Sequence, residues 1–171
     1  VEKLAYVTDD QSMFYMLLDG SIYQINLMTM EKSTLMEGLK LGCVEGSGSG
    51  QYFAYLKENK PYDSTTIAMM DLESGKVNEI SCPDSERVRM LGYLNESLIY
   101  GVADTADIDV TQEGNELFPM KQVNIVDENA QPLKEYAQTG VYVTGGEITD
   151  RLLTMTRVQK SGNDWVDAGE D

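Results

Sequence analysis

The sequence predicts an all-β chain assembled from repeated four-stranded antiparallel units, and three observations carry that reading. Short runs rich in β-branched and aromatic residues alternate with Gly, Asn, Asp and Ser punctuation along the whole length. No segment holds a 3.6-residue apolar period over three turns, so no helix is expected. Finally, three segments can be laid over one another: Ile22 to Leu27, Thr66 to Leu72 and Lys121 to Asp127 each end in a polar turn and lead into another strand.

The first unit is predicted to hold strands at Leu4 to Thr8, Met13 to Leu18, Ser21 to Leu27 and Ser33 to Met36. Asp19-Gly20 forms its tight hairpin turn, since both residue types tolerate positive φ. The second unit takes Leu41 to Glu45, Gln51 to Leu56, Thr65 to Leu72 and Val77 to Ile80, with Glu73-Ser74-Gly75 closing the last hairpin. Between its first two strands lies Gly46 to Gly50, a Gly-Ser-Gly-Ser-Gly stretch whose composition suits a linker but whose position inside a unit favours a tight, exposed turn.

A third unit follows Pro83, with strands at Val88 to Leu94, Ser97 to Ala103, Lys121 to Val126 and Leu133 to Ala137, and Asn95-Glu96 as a turn. A fourth begins with Gly140 to Thr144 and Arg151 to Val158 and stops half way, in Ser161-Gly162-Asn163-Asp164 and an acidic tail. The second strand recurs at Gln51, Ser97 and Arg151, a period of about 45 to 55 residues, which is the spacing of β-propeller blades. Each such sheet has two apolar faces and needs a neighbour on either side. The expectation is one β-propeller-like domain over 1-171, with about three and a half four-stranded antiparallel blades at about 1-38, 39-82, 83-138 and a partial 139-171, forming part of a larger propeller. The start at Val1 without a Met suggests a piece of a longer protein.

Gly48-Ser49-Gly50-Gln51-Tyr52-Phe53-Ala54-Tyr55, followed by Asp71-Leu72-Glu73-Ser74-Gly75-Lys76, resembles the WD40-like β-propeller repeats of the TolB and dipeptidyl-peptidase-IV N-terminal type. Ser49 stands where that pattern has Asp, and the Trp-Asp dipeptide of true WD40 repeats is absent. Asp19 to Leu27 is similar to the repeat of bacterial surface propellers of unknown function. The resemblance implies a fold and a cell-surface or secreted setting. It transfers no catalytic residue.

Composition narrows the partners. The formal net charge is -16, from 29 acidic and 13 basic residues, so a polyanion would have to be held against repulsion and nucleic acid is disfavoured. The acidity is read first as self-repulsion that keeps the chain dispersed in water. The longest apolar stretch, Met13 to Leu18, is too short to cross a bilayer, so no membrane insertion by this segment is expected. Cys43 and Cys82 lie in strands separated by two others, about 14 Å at the usual spacing, beyond disulfide reach; two unbridged thiols are expected.

The chain has no histidine, which removes the Ser-His-Asp and Cys-His constellations and most zinc sites, and no Gly-x-Ser-x-Gly nucleophile elbow is present. No catalytic residue is assigned, and a carboxylate pair of the glycosidase kind has no distinguishing mark among 29 acidic residues. The one anomalous segment is an insertion, Asp104 to Leu117, between the second and third strands of the third unit. Loops of that length are uncommon unless functional or mobile. It holds Asp104, Asp107, Asp109, Glu113 and Glu116 with no positive charge, which makes these five residues candidate calcium ligands, although their spacing does not match the calcium loop pattern and a solvated acidic loop is the other reading. No other cofactor is expected.

Most aromatics (Tyr6, Phe14, Tyr15, Tyr23, Tyr52, Phe53, Tyr55 and Tyr100) fall inside strands, where packing explains them, and the methionines are read as gap fillers of a β core. Trp165 lies in a polar terminal segment, so it either packs on the last blade or marks a contact with further sequence. The expected function is therefore a non-catalytic binding or scaffold module, extracellular or attached to the cell envelope, that recognises a protein, peptide or glycan. The alternative is the substrate-gating propeller of a larger peptidase-like hydrolase, and calcium-dependent adhesion through the insertion is a third reading.

Overall fold

The computed structural model describes residues 4–171; the first three residues of the first expected unit lie outside the described residues. Four antiparallel sheets follow one another along the chain. The first comprises β1 (Ala5–Val7), β2 (Met13–Leu18), β3 (Ser21–Asn26) and β4 (Lys32–Met36), and the second comprises β5 (Val44–Gly46), β6 (Tyr52–Leu56), β7 (Thr66–Asp71) and β8 (Val77–Ser81). The third is made of β9 (Glu86–Leu94), β10 (Ser97–Asp104), β11 (Gln122–Val126) and β12 (Pro132–Tyr136); the fourth has β13 (Val141–Thr149), β14 (Leu152–Ser161) and β15 (Asp164–Glu170). In every sheet the strands pair in chain order, so each sheet is a simple meander.

Turn chemistry explains this order. Asp19 and Gly20 both take positive φ, 49° and 72°, and join Leu18 directly to its partner Ser21 as a two-residue hairpin loop. A second device recurs at the end of each third strand. Asn26 accepts hydrogen bonds from the N–H groups of Met28 and Thr29, Asp71 from Glu73, and Asp127 from Asn129 and Gln131. A short polar side chain thus takes over donors that the bending backbone would otherwise leave unpaired.

Three core clusters lie between successive sheets. Ile22 of β3 meets Val44, Phe53 and Leu72 of the second unit. Ala54, Leu56, Ile67 and Met69 meet Val88, Met90, Leu98 and Val102 of the third sheet. Ile99, Ala103 and Val123 meet Val143 and Met155 of the fourth. Alternation along a strand sends neighbours to opposite interfaces, so that Phe53 faces backward and Ala54 forward, and Leu98 backward and Ile99 forward. Each fully buried Phe, Leu or Ile contributes about 1.5–3 kcal/mol. β9 lies against β5 on one side and β13 on the other. First strands therefore gather along one line while fourth strands lie outside, the radial arrangement of a partial β-propeller.

Three expectations change. The segment expected to end in an acidic tail is strand β15, joined to β14 through a turn with Gly162 at φ 66°. Its acidic residues sit on the solvent side of the ladder, and the Arg157 guanidinium, which accepts no charge from within the strand, donates to the carbonyls of Ala168 and Glu170 and so secures its end. The first strand of the second sheet is shorter than Leu41 to Glu45: Gly42 at φ 79° breaks it, and Leu41 is 85% exposed. The turn at Gly46 to Gly50 is not fully exposed, because Ser47 and Gly50 are buried. Gly48 N–H donates to the Asn95 carbonyl at 2.8 Å, while the Glu96 carboxylate accepts from the N–H and hydroxyl of Ser49, so this turn ties the second sheet to a hairpin of the third.

Neither cysteine takes part in a disulfide; Cys43 is buried and Cys82 half-buried, and both touch the same core cluster. The methionines divide. Met69, Met90, Met120 and Met155 fill the core, whereas Met28 and Met30 stand 84% and 72% exposed in the turn between β3 and β4, where gap filling does not account for them.

Gly50 lies at φ 82°, and a Cβ there would approach the Ala5 carbonyl oxygen of the first sheet to 2.6 Å; Gly75, at φ 72°, has open space around it. In denaturant titration, Gly75→Ala is expected to cost about 1 kcal/mol, the left-handed penalty alone, and Gly50→Ala about 3 kcal/mol or more, because backbone must also move. Equal costs would show that the turn at Gly50 is not held against the first sheet.

Candidate functional site

The insertion is anchored at its root, its middle and its exit. At the root, the Lys121 ammonium donates to Glu86 of β9 at 2.6 Å and to Asp104 at the end of β10 at 2.7 Å. These two hydrogen bonds push the Lys121 pKa up to about 12. After a 3-10 turn at Thr105–Asp107, the chain closes on itself: Asp109 and Leu117 exchange backbone hydrogen bonds of 2.9 and 2.6 Å. At the exit, Phe118, Pro119 and Met120 are buried, and Met120 exchanges backbone hydrogen bonds of 2.7 and 2.8 Å with Val143 of β13. Gly101 makes room for this passage, since a Cβ there would stand 2.0 Å from the Met120 sulfur. The segment is thus an ordered strap from the third sheet onto the fourth.

Asp107 in the strap forms an ion pair with Lys160 of β14. Leu153 and Met155 point into the interface with the third sheet, and Arg157 reaches the Tyr136 hydroxyl at the end of β12. Alternation therefore turns Lys160 to the opposite face of the fourth sheet, where its cross-strand partner is Trp165. The strap reaches over the fourth sheet to that far face. There the Lys160 ammonium lies 5.1 Å from the Trp165 ring centre and 5.9 Å from that of Tyr142, and the two rings meet edge to face at 5.1 Å. Both rings offer the cation their negative faces. The hydrogen bond to Asp107 raises the Lys160 pKa.

A groove of about 620 Å³ runs between the strap and the last hairpin, lined by Asp107, Ile108, Asp109, Thr111, Leu117, Lys160, Asn163 and Trp165. One wall is aromatic and the other presents acceptors and a hydroxyl. Asp109 holds the loop end by accepting from the N–H of Thr111 at 3.0 Å and from its hydroxyl at 2.7 Å, and those bonds lower its pKa. Fixed polar groups beside an exposed ring are what a binding groove requires. Among the residues lining it there is no nucleophile with a base in hydrogen-bond reach.

The five candidate calcium ligands are not brought together. Asp104 is paired with Lys121, Asp107 with Lys160, Asp109 with Thr111; Glu116 accepts from the Gly114 N–H, and Glu113 is exposed. Among the described residues, no group of three or more His, Cys, Asp or Glu is arranged to hold a metal ion. The insertion contains no cation of its own, so its two counter-ions, Lys121 and Lys160, come from elsewhere in the chain. Trp165 packs on Tyr142 within the last sheet, one of the two alternatives its position left open. Of the strand aromatics, Phe53 and Tyr55 stack in the core at 5.7 Å, and Tyr6 donates to Glu73 at 2.5 Å across the first interface. No aromatic outside the insertion side lines the groove.

The root ion pairs give a pH signature. Lys121 has a folded pKa raised from 10.5 to about 12, so its contribution is whole below about pH 10.5 and fades as pH rises toward 12. Lys121→Met is expected to lower the melting temperature at pH 7, because Glu86 and Asp104 are left facing each other, and to lose most of that effect below about pH 4, where both protonate. Thermal melts across pH check this; a deficit of the same size at pH 3 would show that packing, not charge, is what Lys121 supplies.

No protein-family model matches the chain, and no curated protein matches it. Among solved structures it is similar to TolB from Acinetobacter baumannii, at 15% identity and a TM-score of 0.46, covering 96% of this chain and 39% of that one. It is similar also to the β-propeller domain of the Trilobed protease from Pyrococcus furiosus, at 11% identity and 0.47, covering 96% and 57%, and to BamB from Moraxella catarrhalis, at 12% identity and 0.45, covering 89% and 39%. The chain thus spans between 39% and 57% of the length of these structures, and the likeness is one of TolB-like and WD40-like β-propeller folds.

Proposed function

We propose that this chain is a non-catalytic binding module of a bacterial cell-surface or secreted protein, and that it meets a protein segment, peptide or glycan in the groove between the strap and the last hairpin. The observation that supports this is the construction of that groove. A long insertion would be costly to order for its own sake, yet this one is held by the Asp109 and Leu117 pairing, by Met120 on Val143 and by Asp107 on Lys160. It stands opposite Trp165, the chain's only tryptophan. Pre-ordered loops lose little entropy on binding, and a half-exposed Trp in a groove is the kind of side chain that dominates recognition. The surface setting rests on the resemblance of Asp19 to Leu27 to bacterial surface repeats. No helix among the described residues is long and apolar enough to cross a membrane.

Because Trp165 is the only indole, its fluorescence reports on the groove directly. Titration with a panel of hexasaccharides and a library of extended peptides is expected to yield a ligand that shifts or quenches Trp165 emission. Calorimetry with Trp165→Ala should then weaken binding about 30-fold, roughly 2 kcal/mol. A ligand that saturates without changing the emission, or that binds the variant equally well, would move the site elsewhere.

The module works without a metal in this reading, since Lys121 and Lys160 already neutralise two of the insertion's carboxylates. Calorimetric titration with calcium is expected to show no saturable heat below millimolar concentration. A micromolar site lost in Asp109→Asn would overturn that.

A further inference from the structure

The second and third sheets are covered on both faces by their neighbours, but the two outer sheets each keep one face bare of them. In the first sheet, Tyr15, Leu17 and Ile22 pack toward the second sheet, so alternation turns Phe14, Met16, Tyr23 and Ile25 the other way, together with Val7 and Leu18. These side chains are in register across three strands: Val7 beside Phe14 beside Ile25, and Met16 beside Tyr23. None belongs to any of the three core clusters, and Val7 and Leu18 are 44% and 51% exposed. In a chain with 29 acidic residues, the four strands of this sheet hold none, and Lys32 lies on the same face with its ammonium 4.1 Å from the Tyr23 ring centre.

The free face of the fourth sheet is complementary in charge. Beyond the end taken by the strap, it carries Val158, Thr156 and Thr154, and their cross-strand partners Asp167, Glu170 and Glu147 are acidic. Within the chain each forward face packs on the backward face of the next sheet, so the forward face of the fourth sheet is of the kind that the bare face of the first sheet would receive.

We propose that two copies of this chain associate head to tail, the bare apolar face of the first sheet in each copy seating on the acidic-rimmed face of the fourth sheet in the other. A two-fold axis makes the two junctions identical, and four sheets from each copy give eight, within the range of four to eight in which radial arrays of sheets close. Such an assembly continues the packing already present between sheets inside the chain and leaves no bare sheet face.

Light scattering behind size exclusion, from about 5 to 200 μM, is expected to read twice the 19.0 kDa of one chain. Leu18→Lys on the first sheet and Thr156→Arg on the fourth should each raise the dimer dissociation constant by about 30-fold or more, with circular dichroism unchanged because both positions are exposed. Mixing the two variants should restore association partly, since one of the two junctions then has both faces intact. If Leu18→Lys fails to fold, Val7→Lys tests the same face. A wild-type monomer throughout the range overturns the proposal. So does a dimer that Thr156→Arg leaves untouched, which would mean that first sheets pair with each other, and so does a mass that grows without limit, which would mean an open chain of copies.

Discussion

The constraint on which the whole molecule depends is that each small meander sheet is apolar on both faces and cannot shield either by itself. Phe53 and Ala54, adjacent on β6, are both fully buried, yet in different clusters that belong to different interfaces. Leu98 and Ile99 on β10 repeat the arrangement. Stability is thus shared between neighbours, as in other repeat architectures, and no sheet is an independent folding unit. The sheets also communicate by polar contacts: Tyr6 and the Asp9 N–H both meet Glu73, and Ser49 meets Glu96, so that hairpin tips of one sheet hold the turns of the next.

The same constraint explains why the insertion is ordered. Its exit, Phe118 to Met120, is part of the cluster between the third and fourth sheets and adds a backbone bridge to β13. Its polar middle can then stand away from the core without fraying, because the two ends are fixed by burial at one side and by Lys121 at the other. A groove with one aromatic wall and one polar wall results. The chemistry there is that of recognition, with a cation already seated against Trp165 and Tyr142 and balanced by Asp107. A ligand that competes for the ring faces would have to displace or accommodate that ammonium, which gives the groove a means of discrimination.

Much of the fold was legible in the residues. Asp19-Gly20 and Asn95-Glu96 marked hairpins, and they are hairpins, because positive φ at those positions follows from local sterics alone. Strand β15 was not legible. Asp164, Asp167 and Glu170 hide its alternation, and what makes it a strand is the ladder to β14 and the hold of Arg157 on its carbonyls, neither of which is local. The stretch Gly46 to Gly50 was recognisable as a turn but not as a junction, since its partners Ala5, Asn95 and Glu96 are some 45 residues away in either direction. Of the site, the insertion stood out by length and charge, and Trp165 by its odd setting; their meeting could not be read.

By itself the sequence determined the strands whose apolar and polar residues alternate, the turns whose Asp, Asn and Gly residues admit a left-handed backbone, and the period that makes the sheets copies of one another. These follow from short-range sterics and from the two-residue repeat of a strand. Only the tertiary structure decided what the insertion is for. Lys121 and Lys160, which convert its carboxylates from a cation site into anchors, lie 17 residues from Asp104 and 53 from Asp107, and it is the radial packing of the third sheet on the fourth that brings them there. Burial of Phe118 and Met120 at that interface sets the strap's path, and the path places Asp109 and Thr111 across from Trp165.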